Sequence, residues 1–495
     1  MTIIESIGHH PPERVAVRVG AVEISYARLQ ADVMAAALTL AVKGVAAGSR
    51  VGIRAGLVSN GHSYANWVAH LATLHLGASH VSIVESASVA AAVQAGLIDM
   101  AIGARLSLDD IPSAIKRVEF DCDPARPLSA GPNPPGHEAA AARINLTSGT
   151  TGKPKFLVWD YEMIEARVAQ VGEGVPLGPD TILYPLLHIR TTAGFRYPLA
   201  VWQAGGCVLL PDDAEPRDRD QAALGVSTLI AASPVQLAER IRLFPEAWEG
   251  RAERTIIVLG GRLPGAVRDA VLDLACSRLL ISYGSTETGS VALGDSACID
   301  RHAGAVGFVR DGVTVDIVGA DKRPVAAGEL GLVRVRTSLM NAGYHAAVPG
   351  SESSHFEDGY FYPGDSGRLF DDGLLAIEGR LTDTINVGGW KVDAVDLEAR
   401  LAFLPGVDDL CACVMPLAEG DLLTIAVVTR DKVDLAAVAE QIRAKLPKGR
   451  TFHLVRIRSI PRNAMGKIPR AMIANKLTAL YGASRINLTK NDASA

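Results

Sequence analysis

The sequence predicts an α/β chain: a large N-terminal domain of helix-covered, mostly parallel sheets, followed by a small mobile α+β domain. Three observations lead there. Amphipathic helical runs alternate with short apolar runs from about residue 26 to about 345, the pattern of strands joined by crossover helices. Beyond about residue 384 the pattern changes to paired strands with a helix and a last strand. And 495 residues exceed what one ordinary core supports.

The elements follow in order. "YARLQADVMAAALTLAVKG" reads as an amphipathic helix stopped at Gly44, and "SRVGIRA" as the strand after it. "YANWVAHLATLHLGA" and "SHVSIVE" repeat the pair. The stretch 123–142, rich in Pro, Gly and Ala, reads as an exposed connector. Four further apolar strands each run into chemically unusual residues. "ARINL" enters "TSGTTGKPK", "TILYPLL" enters His188, "RTIIVL" enters Gly260-Gly261, and "RLLIS" enters "YGSTETG". Ligands of open parallel sheets sit beyond the carboxyl ends of strands, so all four are expected on one crest. After "GDSGRLFDDGLLAIEGR", "DLCACVMPLAEGDLLTIAVVT" reads as two strands turning at Glu419-Gly420-Asp421. "DLAAVAEQIRAKLP" is a helix ended by Pro447, and "FHLVRIRSI" is a last strand. The expected division is residues 1–380, a hinge at 381–384, and 385–495, with a polar, frayed tail from about 482.

A formal net charge of −5 argues against non-specific nucleic-acid or membrane binding, both of which want a basic footprint. Of six cysteines only Cys411 and Cys413 lie close, and strand alternation puts both on one face without any metal or disulfide. Few cysteines, no basic-then-apolar leader and no apolar run of membrane-spanning length give the expectation of a cytoplasmic protein.

"INLTSGTTGKPKF" (144–156) packs hydroxyls, glycines and two lysines into thirteen residues. Glycine lets backbone amides turn toward an anion, and Lys153 and Lys155 add charge, so a phosphate chain is the expected guest. It is not a Walker loop: two residues separate Gly149 from Gly152, and Pro154 follows Lys153.

With that loop stand "YPLLHIR" (184–190), "YGSTETG" (283–289), "YFYPGDSGRL" (360–369), "GRLTDTINVGGWKV" (379–392) and "PRNAMGKIPR" (461–470). Taken together and in this order, they resemble the adenylate-forming superfamily of acyl-CoA synthetases, adenylation domains and firefly luciferase, from "YARLQ" to "GKIPR". The resemblance implies a carboxylic acid joined to ATP as acyl-AMP with release of pyrophosphate, then passed to a thiol, coenzyme A first among the acceptors.

It also implies roles. Thr147, Ser148, Gly149, Thr150, Thr151 and Lys155 would hold the β- and γ-phosphates. Tyr283 would offer a face to adenine beside Gly260 and Gly261. Gly284, Ser285 and Thr286 would border the nucleotide, Thr286 reaching the α-phosphate, and Glu287 would hold Mg²⁺. "STE" alone reads equally well as a helix cap. Asp365 would accept both ribose hydroxyls, with Arg380 a second ribose contact. Lys467, on the mobile end, would neutralise charge at the carboxylate and α-phosphate. Thr382 stands where the superfamily usually has Asp or Lys, so the hinge is left between Thr382 and Asp383. Gly388 and Gly389 would line the channel for the pantetheine arm.

No acid follows "LLHIR" to receive an ammonium, whose burial without a carboxylate is costly, so an α-amino acid is not expected. His188 resembles the histidine that sits beside the substrate carboxylate in acyl- and aryl-CoA ligases; a packed core histidine is the alternative. Tyr184, Thr191, Thr192, Ala193, Gly194, Phe195, Ser233 and Pro234 are expected to border the acyl pocket, pointing to an aromatic or medium-chain acid. A stand-alone enzyme loading a carrier protein, and a catalytically silent nucleotide-binding protein, stay open as alternatives.

Overall fold

The computed structural model describes residues 2–56, 61–84, 86–148, 154–212, 214–248, 253–345, 355–380, 384–387, 390–401, 404–417, 420–429, 433–462 and 468–481. Among these, the strands form sheets of fifteen, six, three and two members.

The six-stranded sheet runs Lys116–Phe120, Met100–Ala104, Arg50–Arg54, Ser79–Ile83, Ala142–Ser148, Pro154–Asp160. It is parallel except at its last pair, where Ser148 lies opposite Pro154. In the large sheet, Ile182–Pro185, Leu229–Ala232, Thr255–Leu259 and Arg278–Ser285 are neighbours and parallel. From Gly289–Asp295 onward the pairing along this sheet becomes antiparallel, through Asp365–Leu369 and Leu374–Arg380.

The expectation of one crest therefore holds for three of the four strands. "ARINL" belongs to the other sheet. It pairs with Ser79–Ile83 in parallel and with Pro154–Asp160 in antiparallel register, so it ends on a second sheet.

Between the two sheets lies the helix Tyr64–His75, all of whose residues are buried. It is buried on every face, with Asn66, His70, Thr73 and His75 enclosed along with its apolar residues. Trp67 stacks on Phe195 at 5.7 Å and meets Trp202 edge-on at 5.0 Å, both from the helix Thr192–Gln203 over the large sheet.

That interior also holds buried histidines, His62, His70, His80 and His188 among them. His62 Nδ1 accepts from Trp67 Nε1 (3.1 Å), which leaves Nε2–H to donate to the Leu187 carbonyl (2.6 Å). His188 Nδ1 accepts from the Arg190 amide (3.0 Å), so its Nε2–H donates to the Gly56 carbonyl (3.1 Å). His70 and His80 sit ring to ring at 4.9 Å, with Arg143 near His80. Burial is the leading cause that lowers all four, His62 to about 4 and His188 to about 3, and neighbouring cations lower His70, His80 and His188 further.

The unfolded chain, with ordinary histidines, takes up protons as the pH falls below 6.5, and the folded chain does not. Stability is therefore complete above 6.5 and lost on acidification toward the folded values. Each histidine costs about 1.4 kcal/mol per pH unit in that window. Melting temperature is expected to fall steeply from about pH 7 to about pH 5, and His70→Gln to flatten the slope. An unchanged slope in the variant would rule out the buried histidines as its cause.

Past residue 384 the hairpin Val407–Leu417 and Gly420–Thr429 turns at Leu417 and Gly420, and His453–Arg456 joins it in parallel. Its apolar clusters run from Ile385 to Leu477 and share no residue with those ending at Ile377. Cys411 and Cys413 face one side, in a cluster with Met415, Ile473 and Leu477. All six cysteines are free and buried. Among the described residues no helix is long and apolar enough to cross a membrane.

Candidate active site

Residues from both sheets converge on the "YGSTETG" loop, which leaves Arg278–Ser285 and returns as Gly289–Asp295. The turn is tight: a Cβ on Gly284 would lie 2.0 Å from the Gly289 carbonyl oxygen, so Gly284 is required by the turn itself. Ser285 Oγ accepts the amides of Glu287 and Thr288, both at 3.2 Å, and bonds to Thr288 Oγ1 at 3.1 Å. Ser285 thus caps a turn between two strands, not the helix that "STE" alone could have begun.

Glu287 is 8% exposed. Its Oε1 accepts from the Tyr344 hydroxyl (2.9 Å), and Lys155 Nζ lies 4.5 Å from the centroid of the Tyr344 ring. Lys155 is itself buried, second in the strand Pro154–Asp160. Burial first and the Glu287 charge second hold the Tyr344 hydroxyl protonated, as a donor. Lys155, Tyr344 and Glu287 therefore form one chain across the gap between the sheets.

At the other end of the loop the Tyr283 hydroxyl donates to Asp365 Oδ2 (2.7 Å), and Arg380 Nε donates to Oδ1 (2.8 Å). Asp365 and Arg380 are register partners on adjacent strands, and Asp365 is 3% exposed. Each carboxylate oxygen holds one protein donor and keeps a lone pair for another. Tyr283 thereby anchors the acid as well as presenting a ring.

One residue the sequence reading missed holds the loop in place. Arg167 is fully buried, its guanidinium 4.2 Å from the centroid of the Trp159 ring. Nη1 donates to the Thr286 carbonyl (2.6 Å), and Nη2 to the Glu287 carbonyl (3.0 Å) and Asn341 Oδ1 (3.3 Å). Asn341 in turn donates its amide N–H to the Glu287 carbonyl and its Nδ2 to the Val158 carbonyl. Burial, then the neighbouring Arg196, brings the Arg167 pKa down to about 9. In "YEMIEARVAQVG" an arginine reads as a solvent-facing residue, so the sequence carried no signal of it.

Gly260 and Gly261 end Thr255–Leu259 at the same crest, Gly260 with φ of 81°. The acyl-pocket residues are more dispersed. Tyr184 donates to Asp220 (2.6 Å) in the core. Phe195 is fully buried, stacked on Trp67 and 3.8 Å from the Arg143 guanidinium. Thr191 caps the helix Thr192–Gln203, and a Cβ on Gly194 would sit 2.2 Å from the His188 carbonyl oxygen. Ser233 caps Pro234–Leu243 in a reciprocal box with Gln236, a pattern readable in "SPVQ". His188 spends both ring nitrogens on backbone groups. Packing and capping account for these side chains. Gly149, Thr150, Thr151, Thr382, Asp383, Gly388, Gly389 and Lys467 lie outside the described residues, as do the side chains of Thr147 and Ser148.

The chain matches the model of the AMP-binding enzyme family over residues 4–345, more than half its length. It belongs to that family. Among curated relatives it is 26% identical to the malonate–CoA ligase of Arabidopsis thaliana, over 68% of this chain and 60% of that protein. It is also 26% identical to the salicyl-AMP ligase / salicyl-S-ArCP synthetase of Mycobacterium tuberculosis, over 97% of this chain and 91% of that one. Matches to several curated relatives, the malonate–CoA ligases included, span only 60–65% of their length. The ATP-bound structure of MatB from Rhodopseudomonas palustris superposes with a TM-score of 0.76 at 22% identity, covering 97% of this chain and 99% of that one. The Bacillus subtilis o-succinylbenzoate CoA synthetase, in complex with its acyl-adenylate, gives 0.78 at 17%, covering 95% and 97%. At these identities the solved structures establish a shared fold.

Proposed function

We propose that this AMP-binding family member joins a carboxylic acid to ATP, forming acyl-AMP and pyrophosphate, and then passes the acyl group to the thiol of coenzyme A. The observation that carries the reading is the chain Lys155–Tyr344–Glu287 on the same loop as the Tyr283–Asp365–Arg380 cluster. By this reading the cation and the carboxylate would serve the polyphosphate end of a nucleotide, and Asp365 the ribose.

The chemistry is that of a leaving group: a carboxylate oxide does not depart, whereas AMP leaves an acyl phosphate anhydride readily. Asp365 would take the two ribose hydroxyls on its remaining lone pairs. Thr147, Ser148, Gly149, Thr150 and Thr151 would supply donors to the phosphates, with Lys155 adding charge. Glu287 fits Mg²⁺, which takes few protein ligands: its carboxylate is buried, and Tyr344 is the one hydrogen-bond donor to it among the described residues. The ion would screen phosphate charge. Lys467 would balance charge at the reacting carboxylate, carried there by a C-terminal domain that turns about Thr382 or Asp383. Gly388 and Gly389 would border the pantetheine path. A cytoplasmic setting is part of this reading.

A carrier-protein thiol is the second reading, favoured by the alignment along 97% of this chain to the mycobacterial salicyl-S-ArCP synthetase. Incubation with ATP, Mg²⁺ and a panel of acids, with coenzyme A or a carrier protein as acceptor, tests both. Acid-dependent pyrophosphate with a CoA thioester supports the first, and a thioester on the carrier alone supports the second. No pyrophosphate with any acid would leave a silent nucleotide-binding protein.

A further inference from the structure

Residues 339–345 pass between two structures that no strand pairing joins among the described residues. One is Pro154–Asp160 in the six-stranded sheet, and the other is the "YGSTETG" loop of the large sheet. The segment follows the strand Gly331–Thr337 and forms no strand of its own. Its polar groups bond to both sides instead.

Toward the loop, the Asn341 amide donates to the Glu287 carbonyl (3.0 Å) and the Tyr344 hydroxyl to Glu287 Oε1 (2.9 Å). Toward the strand, the His345 amide donates to the Phe156 carbonyl (2.8 Å) and Asn341 Nδ2 to the Val158 carbonyl (2.9 Å). The Leu339 carbonyl accepts from Arg167, which also holds the Thr286 and Glu287 carbonyls.

Asn341 therefore bonds in both directions at once, and it is 6% exposed. Its Oδ1 accepts from Trp159 Nε1 (3.2 Å) and Arg167 Nη2 (3.3 Å), groups that can only donate. Its Nδ2 faces a carbonyl, which can only accept. The neighbours thus fix which way the amide points. Aspartate at this position would keep the acceptor and lose the donor, and alanine would lose both. Either change leaves a polar group without its partner, which costs free energy where that group is buried.

The two ends of the site differ in how they depend on this bridge. Lys155 lies on the strand that Asn341 and His345 hold, and Glu287 on the loop that Asn341 holds. Asp365 takes its donors from Tyr283 and Arg380, both on strands of the large sheet.

We infer that Asn341 is a positioning residue for the polyphosphate half of the nucleotide site. It sets the strand that bears Lys155 against the loop that bears Glu287, and so the gap that the β- and γ-phosphates and their Mg²⁺ would enter. The inference rests on the nucleotide-binding reading above and adds to it a residue that acts through others, not by contact.

Titration calorimetry of the parent and of Asn341→Ala, with ATP and Mg²⁺ and separately with AMP, tests it. The variant is expected to bind ATP about tenfold more weakly and AMP no more than about twofold more weakly, because a buried hydrogen bond is lost at the phosphate end alone. Asn341→Asp, which keeps the acceptor for Trp159 and Arg167, should show a smaller loss in the same direction. Equal losses for both nucleotides in a folded variant would make Asn341 general support and overturn the inference, as would unchanged affinity for both. A parent that binds neither nucleotide would sink the nucleotide-binding reading itself. If neither variant folds, amide exchange in the unaltered protein decides. ATP with Mg²⁺ should then slow exchange at the Asn341 and His345 amides while AMP does not, and equal slowing by both, or by neither, would overturn the inference.

Discussion

Asp365→Ala is expected to weaken AMP binding by about two orders of magnitude. Two hydrogen bonds from ribose hydroxyls to an ionised acceptor contribute about 1.5–3 kcal/mol each, and about 1.4 kcal/mol is a decade in affinity. The low end of that sum already gives the stated loss. The side chain has little freedom to do anything else: Tyr283 holds Oδ2 and Arg380 holds Oδ1, so both remaining lone pairs point where a diol can reach them. Titration calorimetry with AMP, beside a melting curve, separates the alternatives. If affinity is unchanged and only melting temperature falls, Asp365 is a cross-strand bridge to Arg380 and its nucleotide role is wrong.

Much of this site was legible in the sequence because it lies where strands end. Apolar runs of strand length betray themselves, and a parallel sheet puts their ends together; Gly260 and the Tyr283–Gly289 loop do sit on neighbouring parallel strands. Sheet membership was not legible. "ARINL" looks like any buried strand, and only its pairing with Ser79–Ile83 assigns it to the second sheet. From Gly289 the strands pair antiparallel, a change that short runs between turns do not announce.

Buried cations escaped for a physical reason. Arg167 and Arg196 occupy helix positions that a hydropathy pattern gives to solvent, yet both are buried and donate to backbone carbonyls. Tyr344, far along the chain from both Lys155 and Glu287, had no local signal at all. Ser233 carries a local signal of another kind. "SPVQ" carries a capping-box pattern with proline at the first turn, and the structure uses the serine for that.

Lys467→Ala is expected to slow acid-dependent pyrophosphate formation by about two to three orders of magnitude, the effect of removing a charge aimed at a developing anion. Attack of a carboxylate on the α-phosphate brings two anions together, and negative charge gathers on the phosphoryl oxygens as pyrophosphate departs. Lys155, over the Tyr344 ring, serves the far end of the phosphate chain by this reading and is poorly placed to neutralise that charge. A lysine from the C-terminal unit, which has an apolar core of its own, would arrive only for that step. The same variant, supplied with preformed acyl-adenylate and a thiol, should transfer the acyl group at close to the parent rate, because the unit has by then turned away. The two half-reactions measured separately decide it: equal losses in both would refute a lysine that visits the site for adenylation alone.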